Sequence, residues 1–384
     1  MHWIRHEYNA AKTKAVIGML AVFLFISFIF LQFAAAGAIT FALAIAMLQW
    51  QYAKHAGSKL QFSNRLNRKR VLNGGESEWQ LDFENKGMPI WGGNLKIWFQ
   101  DAVMPASGGL TNYTGLVEMD VPFTIGFREN LSLKIPVTGS GRGLARLKKM
   151  ELSVPLLFGE GEAVIEYRET LLQELLVYPK IHPKPFTYSP SLQKPGHFNL
   201  NHSLFSDPFQ PIGTREYAPT DQFQHIHWKA SARMQSFQTK IFSPVANESM
   251  LFMLDVAAFY GTIPNLEARI EELASYVDSC FKESVPFALA INIRSAGAMP
   301  YLFLPAGDGQ VHRQRALELL ALISKNHSTL PFRSMAAHLD MHIELPLTTF
   351  LLAEDLKGME KVVASWSRRT QLKVIASPKG SGIA

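Results

Sequence analysis

The run MLFMLDV (Met250–Val256) decides how the C-terminal third of this chain folds. It is apolar without interruption until Asp255, the pattern of a strand buried on both faces of a sheet. Downstream, Leu266, Ile270, Leu273, Val277 and Phe281 recur at helical spacing and trace one face. FALAINI (Phe287–Ile293) repeats the buried-strand pattern. The spacing then predicts strands near Met299–Leu304, Phe350–Ala353 and Gln371–Ala376, with helices over Ala316–Ser324 and near Leu356–Arg368. Strands alternating with helices predict an α/β domain with a mostly parallel sheet. Ligands of such sheets sit beyond the carboxyl ends of strands, where Asp255 stands.

Upstream lies REYAPTDQFQHIHWKASAR (Arg215–Arg233), a mixture no ordinary helix or strand requires. Pro219, Thr220 and Asp221 predict a turn, because Pro presets φ and Asp bonds back to the backbone. Phe223, His225 and His227 alternate with Gln222, Gln224 and Ile226, so an extended segment would put both histidines on one face. Trp228 to Arg233 predicts a short helix. Arg215, Lys229 and Arg233 then converge on Glu216, Asp221 or an anionic partner. The plainer alternative is a structural junction with Trp228 anchored in the core. His225 and His227 are candidate metal ligands, but a hydrolytic site needs a third ligand, for which Asp221 and His202 are candidates.

This stretch resembles the signature of the domain-of-unknown-function 58 family, R-x-Y-x-P-G-D followed by I-x-W-K-x-x-A-R. The matching residues are Arg215, Tyr217, Pro219, Asp221, Ile226, Trp228, Lys229, Ala232 and Arg233. Thr220 stands where the family has Gly. The resemblance implies a von Willebrand factor A-like C-terminal domain, often with a D-x-S-x-S cation site after its first strand. Here that run is Asp255-Val256-Ala257-Ala258-Phe259, and Ala257 and Phe259 replace both serines. One carboxylate is too few ligands for a hard cation. The site is degenerate, no metal or other cofactor is expected, and Asp255 is expected to cap a backbone turn.

From Ala15 to Tyr52 the chain has no Asp, Glu, Lys or Arg. About 38 such residues suit two short membrane spans better than one. Ala34–Gly37 is the expected turn, and Trp50 and Tyr52 are the expected interfacial aromatics. Arg5, Lys12 and Lys14 before this stretch, and Lys54 and Lys59 after it, place both ends in the cytoplasm by the positive-inside rule. A single long tilted span is the rival, and it would put the soluble part outside. Between Gln61 and Pro179 the alternating faces Trp79/Leu81/Phe83, Leu95/Ile97/Phe99, Leu131/Leu133/Ile135/Val137 and Met150/Leu152/Val154 predict antiparallel strands. Breaks at Asn85-Lys86-Gly87 and Gly108-Gly109 separate them. They read as a small immunoglobulin-like sandwich. In the related family an Asp-Pro-Phe-Gly run follows; Val154–Gly159 replaces it and lacks the Asp. Lys180–Pro211 is a Pro-rich connector without long regular elements.

The expected organisation is thus a transmembrane hairpin with two N-terminal transmembrane helices (1–60), an all-β immunoglobulin-like sandwich (61–179), a connector with the signature (180–248) and the α/β domain (249–384). The net charge of +6 and the cluster Arg65, Arg68, Lys69 and Arg70 suit an anionic leaflet. No aromatic-interleaved basic motif points to nucleic acid. Gly139–Gly143 lacks the Lys-Ser/Thr of a P-loop and reads as a turn. Cys280, the single cysteine, falls on the amphipathic helical face, excluding an intramolecular disulfide and a cysteine zinc cluster.

The resemblance implies a multi-pass protein of the bacterial inner membrane, and the flanking charges place its soluble domains in the cytoplasm. It implies association with a MoxR-type AAA ATPase and with a transglutaminase-like membrane protein. The expected function is a non-catalytic interaction module or assembly factor. The alternatives are a metal-dependent hydrolase using His225 and His227, and an extracytoplasmic cell-envelope assembly protein.

Overall fold

The computed structural model describes residues 3–7, 10–106, 110–111, 115–156, 162–183, 198–199, 206–219, 221–246, 249–258, 261–353 and 358–375. Gly108-Gly109, Leu157–Gly159, His202, Thr220 and Phe259, all named above, lie outside them. The chain forms two compact units, Met1–Tyr178 and Pro179–Ala384.

The first unit is built on two sheets. One holds β1 (Trp3–Glu7), β11 (Glu162–Tyr167), β10 (Gly143–Pro155), β5 (Ile90–Gln100), β8 (Leu116–Ile125) and β7 (Leu110–Thr111) in that order. There β12 (Gln173–Tyr178) pairs with β10 and, in parallel, with β3 (Asn67–Leu72). The other sheet runs β2 (Leu60–Phe62), β4 (Glu76–Asn85), β9 (Asn130–Gly139), β6 (Val103–Pro105). The alternating apolar faces close on one another. Trp79, Leu81 and Phe83 of β4 and Leu95, Ile97 and Phe99 of β5 are buried in one core. Phe83 meets Phe123 of β8 edge-on across the layers at 5.0 Å. Gly139–Gly143 joins β9 to β10 as a tight turn.

Two helices, α1 (Ala10–Ile29) and α2 (Phe33–His55), stand between β1 and β2. The chain therefore leaves the sandwich and returns to it. The turn falls earlier than Ala34–Gly37, whose alanines suit helix and lie inside α2. It is made by Leu31 in the left-handed region at φ 52. Gln32 N–H donates to Ser27 O at 3.1 Å and Leu31 N–H to Phe28 O at 3.2 Å, a Schellman ending.

The expectation of two transmembrane helices is corrected here. Among the described residues only α2 is long and apolar enough to cross a membrane. The apolar part of α1 is Lys14–Ile29, about 24 Å at 1.5 Å per residue, short of a hydrocarbon core of roughly 30 Å. The bounds expected for the all-β immunoglobulin-like sandwich, 61–179, and its purely antiparallel pairing are corrected too. A strand that precedes the helices, Trp3–Glu7, is an edge of the first sheet, and β3 with β12 adds a parallel pair.

The second unit opens with a three-stranded antiparallel sheet, β13 (Phe198–Asn199), β15 (Gln238–Ala246), β14 (Ser206–Glu216). The Pro-rich stretch thus yields an 11-residue strand. Its register shifts at Pro211, and an edge strand with a bulge tolerates proline. The main sheet runs β20 (Tyr301–Gly307), β19 (Phe287–Arg294), β16 (Met250–Leu254), β21 (Thr348–Leu352), β22 (Gln371–Ile375). It is mixed: β20 pairs antiparallel with β19 while the other neighbours are parallel. The expectation of a mostly parallel sheet holds for β19, β16, β21 and β22 and is corrected at β20, which returns from β19 by a short turn instead of a helical crossover. Helices α4 (Leu266–Lys282), α5 (Gly309–Leu322), α6 (Phe332–His342) and α7 (Glu360–Trp366) complete the unit. Leu251 and Met253 of β16 pack into one core with Met335 and Leu339 of α6 and Trp366. On the opposite face Phe252 stacks on Tyr276 of α4 at 5.7 Å.

Candidate interaction site

The signature folds onto the β14–β15 hairpin. Arg215 lies opposite Thr239 and Glu216 opposite Gln238. Beyond Tyr217, whose N–H donates to Phe237 O at 2.8 Å, the chain turns at Ala218–Asp221, closed by Asp221 N–H to Ala218 O at 2.8 Å. Asp221 organises this turn. One carboxylate oxygen pairs with the Arg215 guanidinium. The other accepts from Ala218 N–H at 2.9 Å and from the Thr239 hydroxyl at 3.1 Å. Arg215, then Ala218, hold the carboxyl down at about 2 against the opposing pull of burial, with Thr239 helping.

Between the turn and α3 (Trp228–Met234) the chain is not extended. Phe223–His225 is a 3-10 turn, so the two histidines do not share a strand face. Ile226 is 2% exposed and anchors the segment in the unit. His227 caps α3: its Nδ1 accepts from Ala230 N–H at 3.1 Å, which fixes its proton on Nε2. Its own N–H donates to Gln238 O at 2.7 Å. Ser231 Oγ donates to His227 O at 3.1 Å and accepts Gln238 N–H at 2.9 Å, stapling α3 to β15.

Trp228 is not a core anchor. It is 58% exposed, beside Phe223 at 66% and Phe237 at 57%. Its ring meets Phe223 at 5.5 Å and Phe237 at 6.4 Å, both edge-on, and Tyr217 meets Phe237 at 6.2 Å. Lys229, Ala232 and Arg233 are exposed on α3, and Pro219 is exposed in the turn. Arg215 therefore holds the signature together, whereas among the described residues Lys229 and Arg233 have no carboxylate partner. Phe237, Thr239 and Ser231 belong to the same assembly and carry no spacing signal that would have marked them.

The strand end at Asp255 has a different occupation. Asp255 Oδ1 accepts from the Asn292 side-chain amide at 2.7 Å and from Ala257 N–H at 3.0 Å. Asn292, fully buried, also accepts Val256 N–H at 2.8 Å and donates to Leu330 O at 2.9 Å. Asp255 thereby caps the turn into the small hairpin of β17 (Ala257–Ala258) and β18 (Gly261–Thr262). Among the described residues, no group of three or more His, Cys, Asp or Glu could hold a metal ion.

The basic run on β3 is engaged within the sandwich. Arg68 bonds Glu174 at 2.5 and 2.8 Å, Arg146 bonds the same carboxylate at 2.8 Å, and Lys69 lies 3.5 Å from Glu78. Burial raises the Glu174 carboxyl, but the two guanidiniums bring it below its ordinary value.

No protein-family model matches this chain, and no curated protein matches it. Similar solved structures include the CARDB domain of the PF1109 protein from Pyrococcus furiosus in complex with di-metal ions. It is 10% identical over 31% of this chain and 90% of that one, with a TM-score of 0.18. Another is the third ScaB cohesin of R. flavefaciens in complex with a group 1 dockerin, 10% identical over 32% and 96%, with a TM-score of 0.19. A third is the sporulation control protein Spo0M from Bacillus subtilis, 9% identical over 31% and 49%, with a TM-score of 0.17. At these TM-scores the likeness carries no argument.

Proposed function

We propose that this chain is a membrane-anchored, non-catalytic interaction module of the domain-of-unknown-function 58 kind. It docks a MoxR-type AAA ATPase at the bacterial inner membrane, with a transglutaminase-like membrane protein as a further partner. The apolar segment around α2 supplies the anchor. β1 before the helices and β11 after them pair in one sheet, so both flanks share one side of the membrane, here taken as the cytoplasm. One observation carries the reading: three aromatic rings more than half exposed, Phe223, Trp228 and Phe237, lie together on the signature. Clustered exposed apolar surface marks contact sites, and Trp and Arg dominate the binding energy of interfaces. The cations Lys229 and Arg233 at its margin select an acidic, partly apolar partner surface.

The hydrolase alternative has no comparable support, because His227 Nδ1 already serves as a helix cap. Charge reversal tests the proposal. Lys229→Glu with Arg233→Glu, leaving Arg215 in place, is expected to abolish recovery of the ATPase from native membranes without lowering the melting temperature. Unchanged recovery would count against the site.

A further inference from the structure

We infer that the end of the sandwich from which α2 emerges is a seat for an anionic phospholipid headgroup. The observations are independent of the signature and lie within the first unit. A cavity of about 600 Å³ opens there, within the roughly 300–1,000 Å³ of small-ligand sites. Arg5, Lys54, Lys59 and Lys86 line it, and among its described lining residues there is no acid. Trp3 lines it too, and its indole Nε1 is buried without a hydrogen-bond partner among the described residues. Its floor is Gly57, at φ +75, where a Cβ would come within 2.4 Å of Ile165 Cδ1.

The cations differ in availability. The Arg5 guanidinium donates to the carbonyls of Ala53 and Ala56 at the end of α2. Lys86 lies 3.2 Å from Glu84 and donates to Gln61 at 3.1 Å. Lys54 lies over the Trp50 ring at 5.3 Å. Among the described residues Lys59 has no side-chain partner. Lys54 and Lys59 are thus the groups left to meet a phosphate.

The surroundings identify the source of that phosphate as a bilayer. Tyr52 and Ala56 at the end of α2 are buried in the sandwich core, so the cavity stands at a fixed height relative to the helix. Trp91, which stacks on Tyr52 at 6.3 Å, is 56% exposed, and Met88 and Phe127 are 39% and 61% exposed. Buried Asn85 binds their loops together, donating to Met88 O at 2.9 Å and Gly126 O at 2.8 Å. Exposed aromatics interleaved with lysines at the end of an apolar helix are the composition of a membrane interface facing anionic lipid.

The test titrates the detergent-solubilised full chain with short-chain phosphatidylglycerol, short-chain phosphatidylcholine and inorganic phosphate, following the melting temperature. Phosphatidylglycerol alone is expected to stabilise the wild type. Lys54→Ala with Lys59→Ala is expected to raise its half-saturating concentration about thirtyfold. Lys134→Ala, on β9, is the control and is expected to leave it unchanged. Equal stabilisation by phosphatidylcholine, reproduction by phosphate alone, or an equal loss in the control overturns the inference. Carbonate extraction of native membranes separately reports whether α2 is inserted, so failure of the anchor and failure of the seat are distinguishable.

Discussion

Arg215 and Asp221 form an ion pair across the signature's turn, with the carboxylate 11% exposed and the guanidinium 50% exposed. The pair makes this arginine structural and leaves Lys229 and Arg233 as the outward charges. The acid dependence of the turn follows. A carboxyl held at about 2 in the folded chain and near 3.9 unfolded contributes stability that is complete above pH 4. That contribution is lost as pH falls through about 2. Trp228 emission followed from pH 5 to 1.5 is expected to report loosening of the turn in the wild type. Asp221→Asn is expected to be loosened already at pH 5 and to lack that transition. Parallel curves would contradict the assignment.

His227 is a helix cap rather than a metal ligand. His227→Ala is expected to cost about 1 kcal/mol in chemical denaturation, and His227→Asn is expected to restore most of it. Zinc is expected to shift neither wild type nor variant. A zinc-dependent rise in melting temperature abolished by His227→Ala would reverse the role.

Asn292 ties two backbone groups, Val256 N–H and Leu330 O, to the Asp255 carboxylate from a fully buried position. Asn292→Ala leaves a buried N–H, a carbonyl and a carboxylate without that partner and is expected to destabilise by roughly 2–4 kcal/mol. Added Mg²⁺ is expected to leave the wild-type melting curve unchanged, because Asp255 already caps its own turn.

Cys280 lies 3.9 Å from the Met250 sulfur, and burial pushes its thiol up to about 12. Thiolate is therefore absent at pH 8, and iodoacetamide is expected to leave the native chain unlabelled and to modify it on unfolding. Native labelling would contradict the packing. A silent Cys280 lets Gly75→Cys report sidedness: an impermeant maleimide is expected to leave it unlabelled in intact cells.

The sequence disclosed local patterns better than their partners. The two-residue alternation of Trp79, Leu81 and Phe83 is the buried face of β4, and Leu266, Ile270, Leu273 and Val277 are the buried stripe of α4. Both are one-element properties. The strand Trp3–Glu7 was illegible because its partner β11 is more than 150 positions away, and alternation does not encode a partner. The parallel β3–β12 pair was missed for the same reason, whereas β20 was expected as a strand near Met299–Leu304 and only its antiparallel direction, which alternation does not encode, was not. Helix α6 was missed because its apolar residues Phe332, Met335, Ala336 and Leu339 mark only a short stripe. In the site, the turn at Asp221 and the short helix from Trp228 were legible from residue type. The exposure of Trp228 was not, since a tryptophan among cations reads equally as a core anchor or a contact.

The central claim is that the signature is a docking surface. The most direct measurement is affinity capture from native membranes, comparing wild type with Trp228→Ala plus Arg233→Ala after both are shown to melt at the same temperature. The account predicts that an AAA ATPase, identified by mass spectrometry, co-purifies with wild type and is lost from the folded variant. Equal recovery from both, or recovery from neither, would contradict it.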